Sequence, residues 1–183
     1  MAFSPVEFTA EDTEFCVQMG QKRNSTKKNQ TFSRGWPPEV KHIMGVHSEY
    51  ADYKFLHAEM DWNLYGNKGD KSKPDGVLPD GRRIISKAVG RHDLDIWIPR
   101  VCLDKANPTD VVVAFQVIPM LKDNTYVYTD LGFLGWLSVQ DFIDLGEENK
   151  KHFYAAKSLP GKRLDRDICW VTSRFKLRGV DML

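Results

Sequence analysis

Cysteine is scarce in this chain: the 183 residues hold three, Cys16, Cys102 and Cys169, far apart and never in a C-x-x-C arrangement. That number and spacing exclude a disulfide framework and a structural zinc knuckle, and they point to a reduced compartment. Long apolar runs are also missing. The longest, VVVAFQVI from position 111, is far too short to span a bilayer. The opening MAFSPVEFTAEDTEF carries acids where a signal peptide needs uninterrupted apolar residues, so a cytosolic protein is expected. There is no surplus of charge of either sign. Lys and Arg number 26 against 25 Asp and Glu, a net charge of +1, so any attraction to nucleic acid must come from local clustering. Repeats and low-complexity tracts are absent too.

The chain does have enough apolar material for a core, with 42% hydrophobic residues, and a length suited to one domain. Thr9-Ala10-Glu11-Asp12 fits a capping box, and Phe15, Cys16 and Met19 follow at helical spacing, predicting a short amphipathic helix that ends before Gly20. From position 21 to 38 there is no acid. Lys22, Arg23, Lys27, Lys28 and Arg34 stand among Asn, Ser, Thr and Gln, which reads as a basic, flexible connection. Pro37-Pro38-Glu39 then suits a helix start, and Val40, Ile43, Met44, His47, Ala51, Phe55 and Ala58 recur as a buried helical stripe. This helix carries Glu49.

A loop rich in Gly, Lys, Asp and Pro over 66–81 is long enough to suggest function. Beyond it the period changes to two. Ile84 to Val89 reads as a strand, Leu94, Ile96 and Ile98 alternate with Asp93, Asp95 and Trp97 in the next, and Pro99 ends it. The β-branched run from Asp110 to Ile118 suits a central strand covered on both faces, with two further strands at 126–128 and 133–137. Ser138-Val139-Gln140-Asp141 caps a short helix, and the remainder is ambiguous between edge strand and packed coil. The expectation is a single α/β domain with a central mixed β-sheet flanked by helices. Its parts would be an N-terminal helix and basic connection over 1–38, a core over 39–160 and a C-terminal extension over 161–183.

Several landmarks occur in a telling order. They are Gly45-Val46-His47-Ser48-Glu49-Tyr50-Ala51 on the long helix; Trp62-Asn63; Asp80 seven positions before Lys87; Asp93-Leu94 leading an apolar strand; and Gly135-Trp136-Leu137 before the last helix. In this order they resemble short phage and prophage proteins of the PD-(D/E)xK nuclease superfamily. The resemblance implies a restriction-endonuclease-like core and metal-dependent cleavage of DNA. Phosphodiester hydrolysis needs a hard cation, Mg²⁺ or Mn²⁺, held by carboxylates converging from different elements. A lysine beside them can orient water and stabilise charge growing on phosphoryl oxygens. The resemblance assigns the acids to Glu49 and Asp80 and the lysine to Lys87.

One position departs from the pattern. Residues two apart on a strand share a face, so Ile85 stands with Lys87 where the superfamily usually has an acid. Asp95, on the neighbouring strand, is the favoured replacement, with Asp93, Asp75 and Asp70 as others. The same departure favours a second reading, an inactive module of this fold that binds nucleic acid or blocks a host protein. Short nucleases of this kind often act as homodimers, although no interface is legible, and a phage-encoded protein would work in the host cytoplasm.

Plain readings stand beside these. Asp80-Gly81 is an ordinary turn signal, and a lysine on a sheet edge can guard against strand pairing. His47 falls on the apolar stripe, as a hydrogen-bonded core histidine would, and Trp36 either packs locally or stacks on a base. The basic connection, with Arg91 and His92, either is a solvated surface or tracks phosphates without reading sequence.

Overall fold

The computed structural model describes residues 4–26, 36–62, 74–90, 95–149, 169–173 and 177–179. In chain order these form β1 (Ser4–Pro5), α1 (Ala10–Thr26), α2 (Pro38–Leu56), β2 (Glu59–Met60), β3 (Gly76–Val77), β4 (Arg83–Val89), β5 (Asp95–Pro99), α3 (Arg100–Leu103), β6 (Val111–Lys122), β7 (Thr125–Ser138), α4 (Val139–Leu145), β8 (Glu147–Asn149) and β9 (Cys169–Ser173). A six-stranded sheet runs β1-β7-β6-β4-β3-β2, and a three-stranded sheet runs β5-β9-β8. Within the larger sheet β4 and β6 are parallel, from Ile84 opposite Val111 to Val89 opposite Gln116, and the other pairs are antiparallel. The α/β class and a mixed sheet flanked by helices are thus as expected. Among the described residues no helix is long and apolar enough to cross a membrane.

The helix starts follow their caps. Thr9 Oγ1 accepts from the Asp12 backbone N–H at 3.1 Å while the Thr9 N–H donates to Asp12 Oδ2 at 2.8 Å, a reciprocal box that satisfies two otherwise unpaired groups. Ser138 Oγ likewise accepts from the Asp141 N–H at 3.0 Å and starts α4. Pro38 opens α2, where its missing N–H costs nothing.

Several elements differ from the sequence expectation, among them the short strands β1 and β2, helix α3, and β3, which lies inside the 66–81 segment read as a loop. α1 does not stop before Gly20 but continues to Thr26, so Lys22 and Arg23 sit on a helix rather than in a flexible connection. Gly20 is where α1 touches α2: a Cβ there would lie 2.6 Å from the Ile43 Cα. Close packing against a second helix outweighs the weak helix propensity of one glycine. The two strands expected at 126–128 and 133–137 are one strand, β7, whose pairing with β6 absorbs irregularities at Ala114/Phe115 and Ile118/Pro119. Gly135 sits at the first of these with φ +138°, and the Arg178 carbonyl crosses where its side chain would be.

Covering both faces of the sheet explains why every residue from Val111 to Phe115 is buried. On one face α2 packs Val40, Met44, Ala51 and Leu56 against Ile84, Val111, Val113 and Phe115. On the other, Val139 and Phe142 of α4 and Ile96 and Ile98 of β5 pack against Ile85, Val89, Val112 and Ala114. β4 therefore turns Ile84 and Ser86 toward α2, and Ile85 and Val89 toward α4.

Candidate functional site

β3 pairs with β4 for only two residues, Gly76 opposite Ile84 and Val77 opposite Arg83. Asp75 lies where that pairing ends. Its N–H donates to the Ile84 carbonyl at 3.0 Å, and its Oδ2 accepts from the Ser86 backbone N–H at 2.8 Å, so a carboxylate takes the place of the next rung. Lys87 follows on β4. Glu49 comes from the middle of α2, and the charges acting on it are those of Arg23, Asp75 and Lys87. An acid from a helix and an acid from the end of a short strand thereby come near one another where β3 leaves β4, while Lys87 alternates with Ser86 and so belongs to the face of Ile85 and Val89, close enough for its charge to act on Glu49.

Glu49 is 13% exposed in its side chain, and Arg23 Nη1 donates to its Oε1 at 2.6 Å. Burial pushes the Glu49 carboxyl above its ordinary value, Arg23 opposes this, and Asp75 adds to it. The Arg23 guanidinium is correspondingly stabilised in its charged form: burial works against it, but Glu49, with Asp75 and Asp61 beyond, more than offsets the loss. Arg23 is thus held inside an acidic group, whereas Lys22 is exposed on α1. Lys27, Lys28, Arg34, Arg91, His92, Asp70 and Asp93 lie outside the described residues.

Asp80 is not part of this gathering. It sits in the turn between β3 and β4, half exposed, with Oδ1 accepting from the Arg82 N–H at 3.0 Å and Oδ2 from Arg82 Nε at 2.7 Å. Those bonds, led by the Arg82 backbone N–H, hold its carboxyl below the ordinary value. Lys87 is five residues along the strand from Arg82, about 16 Å at 3.3 Å per residue, beyond the joint reach of the two side chains. Asp80-Gly81 lies in a turn, as its turn signal implies. Pro74-Asp75 is a second proline–aspartate pair, twelve positions before Lys87, and it is the one whose carboxylate reaches the site.

Asp95 also stands elsewhere. It belongs to the three-stranded sheet and is exposed, while Ile96 and Ile98, on the opposite face of β5, are the residues that join Ile85. Ile85 is itself 9% exposed and lies in an apolar cluster with Val112, Ala114 and Phe142. Position 85 completes a core, and among the described residues its neighbours in that cluster are apolar. Among the described residues no three His, Cys, Asp or Glu side chains are arranged to hold a metal ion.

Asp52 belongs to the same neighbourhood and was not among the expected site residues. It is fully buried, and among the described residues no hydrogen bond of ordinary geometry reaches either carboxyl oxygen, the Ser86 hydroxyl lying close enough only to act on it weakly. Burial raises its pKa well above the ordinary value; the Ser86 hydroxyl and Lys87 oppose this, and Asp75 and Glu49 reinforce it. Ser86 Oγ in turn donates to Ser48 Oγ at 3.2 Å, and Ser48 Oγ to the Gly45 carbonyl at 2.9 Å. The signal was present in the spacing. Met44, Ser48, Asp52 and Leu56 form one i, i+4 row of α2, and its apolar ends place the polar middle inside.

His47 is a core residue. It is 2% exposed, with Nδ1 at 2.8 Å from the Ile43 carbonyl and its ring between Phe8 and Tyr128 at centroid distances of 5.8 and 4.7 Å. Burial lowers its pKa to about 4, with the Ile43 contact opposing, so it stays neutral. Trp36 packs edge-on against Tyr126 at the margin of the α2-facing core. No protein-family model matches the chain, and neither does any curated protein or solved structure.

Proposed function

We propose that this protein is a metal-dependent DNA nuclease of PD-(D/E)xK type, with Asp75 in the role the sequence had offered to Asp80. The observation that carries this reading is that Glu49 of α2 and Asp75, held on the Ser86 N–H, come near one another where β3 leaves β4, with Lys87 the next residue of that strand. Two carboxylates suit Mg²⁺, which keeps several waters and commonly takes only one or two protein acids together with substrate phosphate. Glu49 and Asp75 would hold it. Such a cation polarises the phosphodiester and lowers the pKa of a water. The chain's own contribution is positional. The Ser86 N–H fixes Asp75, and Lys87 would offer a positive charge to the phosphoryl oxygens.

Purified protein should cut duplex DNA in Mg²⁺ or Mn²⁺. Glu49→Ala and Asp75→Ala should abolish cutting, while Asp80→Ala should retain it. Cleavage that survives both site changes, or that Asp80→Ala alone removes, sinks the assignment. A second reading, a module that kept this scaffold without catalysis and binds nucleic acid or a host protein, is favoured by Ile85 in the core and by Arg23 seated on Glu49. Under that reading Mn²⁺ produces no rise in melting temperature, whereas under the first it does and Asp75→Asn removes it.

A further inference from the structure

Among the described residues, Arg23 is in direct contact with Glu49, an acid of the proposed site. It reaches Glu49 from α1, and it does so on a rigid mount, because Gly20, one turn earlier, lets α1 settle on the backbone of Ile43. The contact is short, 2.6 Å, and both side chains are largely withdrawn from water, 18% and 13% exposed. The guanidinium also lies in the field of Asp75 and Asp61. It therefore stands among the same carboxylates to which a divalent cation would bind, and two cations cannot both use Glu49 at full strength.

A guanidinium has a second natural partner. Its planar fork matches two phosphate oxygens, and an arginine–phosphate pair is at least as favourable as an arginine–carboxylate pair. We infer that Arg23 is a phosphate-binding residue of the active site, stored on Glu49 until DNA arrives, so that phosphate binding and metal binding are coupled. Resting on the nuclease reading, this gives the site an order of events. Arg23 turns from Glu49 to a backbone phosphate, and the carboxylate it leaves becomes available to the divalent ion. Metal then collects where substrate already is. By reciprocity, whatever DNA adds to metal affinity, metal must add to DNA affinity.

The test uses the full chain and two simple probes, Mn²⁺ alone and a short DNA duplex in EDTA. Arg23→Gln should bind Mn²⁺ at least tenfold more tightly than the wild type while binding the duplex at least fivefold more weakly. An ion pair that never meets phosphate also predicts tighter Mn²⁺ binding once Arg23 is removed, so the weaker duplex binding is the shift that separates the two. Should Arg23→Gln fail to fold, Glu49→Gln supplies the complementary case: freeing the guanidinium should strengthen duplex binding in EDTA severalfold. Mn²⁺ affinity in Arg23→Gln equal to or weaker than wild type overturns the inference, and so does unchanged duplex binding in Glu49→Gln. Either result leaves the nuclease reading intact if wild-type protein still cuts DNA. Conversely, the opposite shifts in a protein that never cuts DNA uphold the role of Arg23 and defeat the nuclease reading.

Discussion

Replacing Asp52 by Asn should make the protein more stable, and increasingly so as pH rises. Asp52 is fully buried, no hydrogen bond of ordinary geometry reaches its oxygens among the described residues, and burial holds its pKa well above the ordinary value. In the unfolded chain the same carboxyl ionises near pH 3.9 or so. Below that pH both states are protonated and the residue costs nothing through ionisation. Above it the unfolded state ionises first, so native stability falls by about 1.4 kcal/mol per pH unit until the folded carboxyl also loses its proton. Asparagine has nearly the same shape and no proton to lose. In a chain of this size about 1.4 kcal/mol corresponds to roughly 3–6 °C in melting temperature. The melting temperatures of wild type and Asp52→Asn should therefore nearly coincide at acid pH and diverge steadily from about pH 4 upward at that rate. Calorimetry across the pH range reads this directly, because the other titrating groups are common to both proteins. Parallel curves would mean that Asp52 is ionised in the native state, with Lys87 supplying more compensation than burial removes, and the reasoning would fail.

Other outcomes follow from the same geometry. Ile85→Asp, which restores the acid that the nuclease pattern normally has, should not create a better site: it places an unpaired charge among Val112, Ala114 and Phe142, and chemical denaturation should show a loss of roughly 3–5 kcal/mol. Gly20→Ala must push α1 away from the Ile43 backbone, at a cost of roughly 1–3 kcal/mol, and should loosen the Arg23–Glu49 contact. Urea unfolding reads the first effect, and the arginine side-chain signals in NMR the second. Asp12 has its pKa lowered to about 2, because Lys54, Thr9 and Tyr50 together outweigh the opposing effect of burial. The stability it adds is present above its unfolded-state pKa and is lost as pH falls toward 2, so Asp12→Asn should reduce the melting temperature at neutral pH and narrow the difference in acid.

Local chemistry written in a few adjacent residues was legible without a structure. The Thr9 and Ser138 caps, the proline start of α2, the buried run in β6 and the core position of His47 depend on spacing within one element, and sequence reports such spacing directly. The placement of Glu49 on α2 and of Lys87 on β4 was legible for a related reason, since each sits at a fixed offset within its element.

What sequence could not decide was which aspartate lies near Glu49. Asp75 and Asp80 both follow proline and both precede β4, five residues apart. Only the hairpin register separates them, holding one against Ser86 and the other in the turn with Arg82. The same-face rule did place Ile85 beside Lys87, but not the fact that this face is closed by α4 and β5. Nor could spacing show that a helix reading as a basic linker would run on to Thr26 and deliver Arg23 to Glu49, because that extension depends on packing against α2, a contact between residues 26 positions apart. Pairing register, helix docking and sheet coverage are long-range choices set by the whole core. They decide which of the available acids and bases share a site.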